Sequence, residues 1–240
     1  EMCIRDSNSL TPGPDNLVVR AATALQVHAA EQSGAQLTLR KMIPQGAGLG
    51  GGSSDAAATL VLLQRLWDCH LPPDTLPKIG ATLGSDVPFF LQPYAARGTG
   101  RGELLEPIPL KDLPWAVLIH PGFASPTAGA YAAYATNPSP GPEGSPLELS
   151  REDGSTLKIV PQNDLEPAVE RRFPWIASAR EWLDGQKGVF AARMSGSGST
   201  VFGLFHTEAQ SREVAQQARN YFGPETWIQT ARLLSGSEPA

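Results

Sequence analysis

Five glycines fall within the seven positions 46–52, and this run, Gly46-Ala47-Gly48-Leu49-Gly50-Gly51-Gly52, constrains the chain more than any other stretch of it. Without Cβ atoms, consecutive backbone N–H groups can turn toward a common point that ordinary side chains would obstruct. Before the run, residues 36–43 alternate Leu37 and Leu39 with Thr38 and Arg40, the pattern of a half-buried strand that Pro44 ends. After it, residues 55–67 are rich in Ala and Leu and predict a helix. Strand, glycine loop and helix together aim unpaired amides and the positive end of a helix at an anion, and Ser53 and Ser54 add hydroxyls. A tight connection needs fewer glycines, so a phosphate cradle outweighs a plain turn here. Either serine can also lend an oxygen to Mg²⁺, a hard ion that keeps several waters.

The class of phosphate site is narrowed by what accompanies the loop. Gly46, Gly48 and Gly51 satisfy G-x-G-x-x-G, but Trp67-Asp68-Cys69-His70-Leu71-Pro72-Pro73 is not the second strand a dinucleotide fold requires. No Lys stands beside Ser53 or Ser54, so the Walker pattern fails, and V-A-I-K and H-R-D are both missing. The net charge of -5 and the lack of a basic run argue against nucleic acid or an anionic membrane as partner and favour a small-molecule substrate. Two cysteines, Cys3 and Cys69, make neither a disulfide framework nor a zinc site, which suits a reducing cytoplasm. No stretch reaches the length of a membrane span. A monomer and a homodimer both remain open.

The remaining pattern is α+β. Asp15 caps a helix to about Gln32, with Leu17, Ala21, Ala24, Leu25 and His28 on one stripe and Gly34 as its stop. A helix from Asp74 or Thr75 to Gly84 precedes Ser85-Asp86-Val87-Pro88 and the apolar Phe89-Phe90-Leu91. The Pro-rich segment 107–114 divides the chain into domains at 1–113 and 114–240. In the second, strands are expected at 115–119, 189–193, 200–205 and 227–233 and helices at 165–172, 176–184 and 208–221, with a surface loop at 137–146. Residues 1–14 show neither period, and the opening Glu1-Met2-Cys3-Ile4-Arg5-Asp6-Ser7 reads as an extraneous leader or a truncation.

Pro44-Gln45-Gly46-Ala47-Gly48-Leu49-Gly50-Gly51-Gly52-Ser53-Ser54-Asp55-Ala56-Ala57 closely resembles the ATP loop of the GHMP kinases, the family of galactose, homoserine, mevalonate and phosphomevalonate kinases. Four further segments agree with it in order: Asp15-Asn16-Leu17-Val18-Val19-Arg20-Ala21-Ala22, Leu83-Gly84-Ser85-Asp86-Val87-Pro88-Phe89-Phe90, Asn163-Asp164-Leu165-Glu166 and Met194-Ser195-Gly196-Ser197-Gly198-Ser199-Thr200-Val201-Phe202. Within the family, the triple glycine before Ser-Ser-Asp-Ala-Ala is most similar to members of non-mevalonate isoprenoid synthesis that phosphorylate a cytidine diphosphate-linked methylerythritol. The resemblance implies a two-domain α+β fold, an N-terminal domain like the second domain of ribosomal protein S5 followed by a ferredoxin-like C-terminal domain. It also implies transfer of the ATP γ-phosphoryl to the substrate 2-hydroxyl, with Mg²⁺ whose ligands the motifs leave open.

The residue roles follow the same resemblance. Pro44, Gln45, Gly46, Ala47, Gly48, Leu49, Gly50, Gly51, Gly52, Ser53 and Ser54 would hold ATP, and Asp86 would be the general base. By itself, an Asp before Val-Pro reads as a turn cap. Thr127, Tyr131, Gly196, Ser197 and Gly198 would contact the substrate, Tyr131 by stacking on the cytosine. Spacing alone leaves Tyr131 equally well placed as a core aromatic, and residues 195–199 as a hairpin turn. Asn163 and Asp164 suit structural capping, and His28, His70, His120 and His206 suit ordinary fold positions, with no partner indicated for His120. The family's opening Pro-Ala-Lys-Leu-Asn-Leu and Asp-Gly-Tyr-His segments have no counterpart in the sequence. The corresponding expectations are weak nucleotide binding, slow turnover and an exposed sheet edge. Another kinase of the family, or a nucleotide-binding remnant without catalysis, are the alternatives.

Overall fold

A computed structural model describes residues 2–6, 13–92 and 94–234, which divide into two compact units, one comprising Glu1–Ile43 and Gly50–Ile108, the other Pro44–Leu49 and Pro109–Ala240.

The first unit opens with β1 (Met2–Asp6), a segment whose composition shows no strand period. It pairs in parallel with β2 (Ala35–Leu39), Met2 opposite Ala35 and Asp6 opposite Leu39. Residues 1–14 show neither period in sequence, yet these five form a strand. A parallel pair needs a crossover, and α1 (Leu17–Ala29) lies between the two strands in sequence. Its cap is Asn16 rather than Asp15: Asn16 is extended, and its Oδ1 accepts from Val18 N at 2.9 Å. Its end also comes earlier than Gln32, because Ala30 turns left-handed (φ 51°) and Glu31 N returns to Gln26 O at 3.0 Å. Val18, Ala21, Ala22 and Leu25 form the buried stripe, while His28 faces solvent.

Next come α2 (Gly51–Leu66), α3 (Thr75–Leu83), the single turn α4 (Val87–Phe90), and the hairpin of β3 (Ala96–Thr99) with β4 (Leu104–Pro107). Ala21 and Ala22 of α1 share a core with Ala56, Ala57, Leu60 and Leu63 of α2, so small side chains let the two helices approach closely. α2 begins four residues earlier than its composition predicts. Glycine is a poor helix former, by about 1 kcal/mol relative to Ala, and packing of α2 against α1 overrides that preference.

The second unit contains β5 (Leu110–Lys111), β6 (Trp115–His120), α5 (Thr127–Thr136), β7 (Leu147–Arg151), β8 (Thr156–Ile159), α6 (Glu166–Arg172), α7 (Pro174–Asp184), β9 (Val189–Met194), β10 (Val201–Phe205), α8 (Glu208–Phe222) and β11 (Trp227–Arg232). Its main sheet runs β11-β6-β10-β9, antiparallel throughout. Numbered within this sheet the order is 4-1-3-2, the ferredoxin-like arrangement that the family resemblance implies. Val117, Ile119, Val201 and Phe205 point to α7 and α8 and form the larger core with Ile176, Leu183, Val214 and Ala218. The alternate residues Ala116 and Leu204 meet Leu147 of β7 on the other face. Thr207 caps α8 through a reciprocal capping box with Gln210. No helix among the described residues is long and apolar enough to cross a membrane.

Candidate active site

The glycine run is two structures in one. Its first part belongs to the second unit, where Gly46 and Gly48 take φ of 63° and 74°. A Cβ on Gly48 would stand 2.2 Å from Ser195 O and 2.7 Å from Gly198 O, so only glycine permits this approach. Ser195 Oγ donates to Gly48 O (2.8 Å), Thr200 N to Ala47 O (3.1 Å) and Ser125 N to Gly46 O (3.3 Å). Residues 195–199 do join β9 and β10 as a hairpin turn, and that turn also grips the loop.

The later part belongs to the first unit. Gly50, at φ 66°, is the N-cap of α2, and the first intrahelical bond runs from Ser54 N to Gly50 O at 2.9 Å. The amides of Gly51, Gly52 and Ser53 precede that bond and have no acceptor within the helix, which leaves them for an anion. Ser54 Oγ donates to Gly51 O (2.9 Å), so its oxygen retains lone pairs for a cation. Lys41, on the segment that enters the loop, pairs with Asp55, both side chains being largely buried. Its Nζ would lie 3.5 Å from a Cβ on Gly51. No motif named above contains Lys41; the basic pair Arg40-Lys41, two residues short of Pro44, was the available signal.

Asp86 precedes α4, is exposed, and makes no side-chain capping bond, so the plain cap reading has no support in the geometry. Its helix touches both neighbours: α4 lies against α2 and α3, and the Phe90 ring covers Gly50, whose Cβ would meet it at 2.6 Å. Asp86 and residues 50–54 thus share one unit.

In the second unit, Thr127 at the start of α5 meets Ser197 across 2.9 Å between hydroxyl oxygens. Tyr131, one turn on, is 59% exposed, which removes the core-aromatic reading. Gly196 and Gly198 hold φ of 53° and 82° in the turn. Of the ATP-loop positions named above, Ala47 is buried, Pro44 and Leu49 are half-buried, and Gln45 is exposed.

His120 occupies a buried fold position with partners that its sequence context did not indicate: it is 3% exposed, with Nδ1 3.2 Å from Ser199 Oγ and 3.5 Å from Thr200 Oγ1, and its ring meets Trp227 edge-on. Burial lowers its pKa below the ordinary 6.5, so the ring is held neutral. Ser199 donates its own hydroxyl to Phe123 O, which makes it a bracing group. The loop at 137–146 is tied down rather than free. Gly141 N donates to Asp164 Oδ1 (2.9 Å), Gly144 N to Pro161 O (2.9 Å), and Arg193 reaches Pro142 O (3.0 Å) and Pro161 O (3.1 Å).

Helix-end amides, a nearby ammonium, an acceptor hydroxyl and an exposed carboxylate make an arrangement suited to binding a phosphate chain and accepting a proton. Comparison with known proteins agrees. The model of the GHMP kinases N terminal domain matches residues 16–93, and that of the GHMP kinases C terminal matches residues 146–224. A 4-diphosphocytidyl-2-C-methyl-D-erythritol kinase of Cereibacter sphaeroides is 41% identical over 94% of this chain and 79% of its own length. A kinase of the same name from Methylacidiphilum infernorum is 39% identical over 91% and 75%. The crystal structure of a 4-(cytidine 5'-diphospho)-2C-methyl-D-erythritol kinase superposes with a TM-score of 0.73 at 33% identity, covering 96% of this chain and 81% of that one. A homoserine kinase from Cytophaga hutchinsonii, at 15% identity and a TM-score of 0.67 over 98% of this chain and 83% of its own, shares the fold alone. By motif order, fold and identity over most of its length, the chain belongs to the GHMP kinase family, among the 4-diphosphocytidyl-2-C-methyl-D-erythritol kinases.

Proposed function

We propose that the protein transfers the γ-phosphoryl group of ATP to the 2-hydroxyl of 4-diphosphocytidyl-2-C-methyl-D-erythritol, in the cytoplasm, as a step in isoprenoid precursor synthesis. The observation that carries this reading is the glycine run that ends as the first turn of α2, its amides open to an anion and Phe90 of the Asp86 helix lying on Gly50. Residues 44–54 hold the triphosphate, and Lys41 adds positive charge at the amide end of α2. Asp86 takes the proton of the 2-hydroxyl as the alkoxide oxygen bonds to the γ-phosphorus and the bond to the β,γ-bridging oxygen breaks, releasing ADP. Thr127, Ser197, Gly196 and Gly198 line the substrate side of the second unit, and exposed Tyr131 stacks on the cytosine. Mg²⁺ fits the donor set, since Ser53 or Ser54 offers a hard oxygen, and it would neutralise charge on the phosphates when bound.

The test is phosphoryl transfer by the whole chain, with cytidine-linked methylerythritol, mevalonate and homoserine offered in parallel. Only the first should be phosphorylated, and Asp86→Asn should lower turnover by roughly 10²–10⁴-fold while leaving the ATP-dependent rise in melting temperature intact. Equal turnover by Asp86→Asn would remove the aspartate from the chemistry, and phosphorylation of mevalonate or homoserine instead would overturn the substrate assignment.

A further inference from the structure

Two side chains that neither the phosphate site nor the substrate site uses are aimed at the base of the 195–199 turn. Asn163 Nδ2 donates to Met194 O and to Gly196 O, both at 2.8 Å, while its Oδ1 accepts from Leu165 N (3.0 Å) and so fixes which way the amide faces. Glu166, with no exposed surface, accepts from Met194 N at Oε2 (2.8 Å). Its Oε1 makes no hydrogen bond and faces Arg180 Nε at 3.5 Å. Three backbone polar atoms flanking Ser195 are thus held by one short segment.

A β-hairpin does not require this. Met194 and Val201 are already ladder partners, and Ser195 N already donates to Thr200 O at 2.8 Å. A buried carboxylate costs free energy unless it is well partnered, so its presence at a turn that already closes itself points to the position of the turn as what it sets. The next link leads to the phosphate loop. Ser195 Oγ holds Gly48 O, and a Cβ on Gly196 would stand 3.1 Å from that same oxygen. From Asn163 to the loop, the path passes through a single turn.

We infer that Asn163 and Glu166 are positioning residues for the phosphate-binding backbone: they hold the 195–199 turn so that Ser195 and Gly48 keep the amides of residues 46–49 in place. The inference rests on the phosphate reading of the loop proposed above.

Hydrogen exchange and ATP titration of the whole chain test it. Asn163→Ala should speed exchange of the Ser125 and Thr200 amides, which donate to Gly46 O and Ala47 O, and weaken ATP binding roughly tenfold, the equivalent of one or two lost hydrogen bonds. Glu166→Ala should do the same, and Glu166→Gln, which keeps an acceptor for Met194 N, should recover most of the loss. Asp164→Ala is the comparison. Asp164 bonds Gly141 N and Gln162 Nε2 but not the turn, so its loss should lower the melting temperature with ATP affinity within about twofold of the parent. Should Asn163→Ala fail to fold, Ser195→Ala cuts the next link and carries the same expectation at Ser125 and Thr200. If Asn163→Ala or Ser195→Ala folds with a lowered melting temperature yet leaves exchange at Ser125 and Thr200 and ATP affinity unchanged, the residues are merely structural and the inference is overturned. A parent chain that shows no ATP-dependent protection would sink the phosphate reading instead, and the exchange rates at Ser125 and Thr200 would still decide the positioning role.

Discussion

Ser195 and Gly48, 147 positions apart in sequence, are joined by a 2.8 Å hydrogen bond from the serine hydroxyl to the glycine carbonyl, with the Ser195 carbonyl filling the place a Gly48 side chain would need. Gly48→Ala should therefore destabilise the protein by roughly 2–4 kcal/mol, combining left-handed strain with a steric clash against backbone. Gly154→Ala is the comparison, because Gly154 has φ 85° with nothing within 4 Å of a Cβ and isolates the strain alone. Thermal unfolding of the two variants checks this. Equal losses would mean that the loop yields to the added methyl.

Lys41→Met should weaken ATP binding by roughly five- to tenfold, since it removes a cation and leaves Asp55 uncompensated near the amide end of α2. Lys41→Met with Asp55→Asn should recover part of the loss, because the repelling carboxylate is then gone too. Calorimetric titration with ATP reads both. If the double variant binds no better than the single one, Lys41 acts by direct contact alone.

Tyr131→Ala should raise KM for the cytidine-linked substrate by the equivalent of about 1–3 kcal/mol of lost stacking, with KM for ATP unchanged. Because the ring is exposed, the melting temperature should hardly move, and Tyr131→Phe should behave like the parent. An unchanged KM in Tyr131→Ala would dismiss the stacking role.

Stability should fall as the pH drops through about 6.5, in part because of His120. Its folded pKa is depressed, so below the ordinary value the unfolded chain binds the extra proton first, and the contribution present above 6.5 is lost on acidification. His120→Gln should narrow the difference in melting temperature between about pH 7.5 and about pH 5.5 relative to the parent. The same difference in both would assign the acid sensitivity to other groups.

What the sequence made legible was the local part of the problem. α3, α7, α8 and the strands of the main sheet carry clear periods and caps, so their positions were readable to within a residue or two. The hairpin of β7 and β8 was not, because its strands are only five and four residues long and half-exposed. β1 takes its conformation from pairing with β2, a partner that begins 33 positions later in register. The start of α2 was misplaced for a related reason: propensity disfavours Gly51 and Gly52 in a helix, whereas packing against α1 decides it. In the candidate site, Asp86 and the glycine run were visible as motifs. Lys41 with Asp55, and His120 with Ser199, are pairings at separations of 14 and 79 that no local pattern encodes.

The tethered loop at 137–146 has a practical consequence for anyone modifying the protein. Its run of Pro, Gly and Ser is what an engineer would choose for an epitope tag or a fluorescent insertion. Yet a side chain on Gly141 would collide with Asn163 O at 2.1 Å, and Arg193 holds the segment beside the residue that grips the turn. Cargo spliced there would tug on the 195–199 turn, and with it the proposed phosphate loop, through Asn163. The hairpin tip at Gly154, where added atoms meet only solvent, is the safer port of entry.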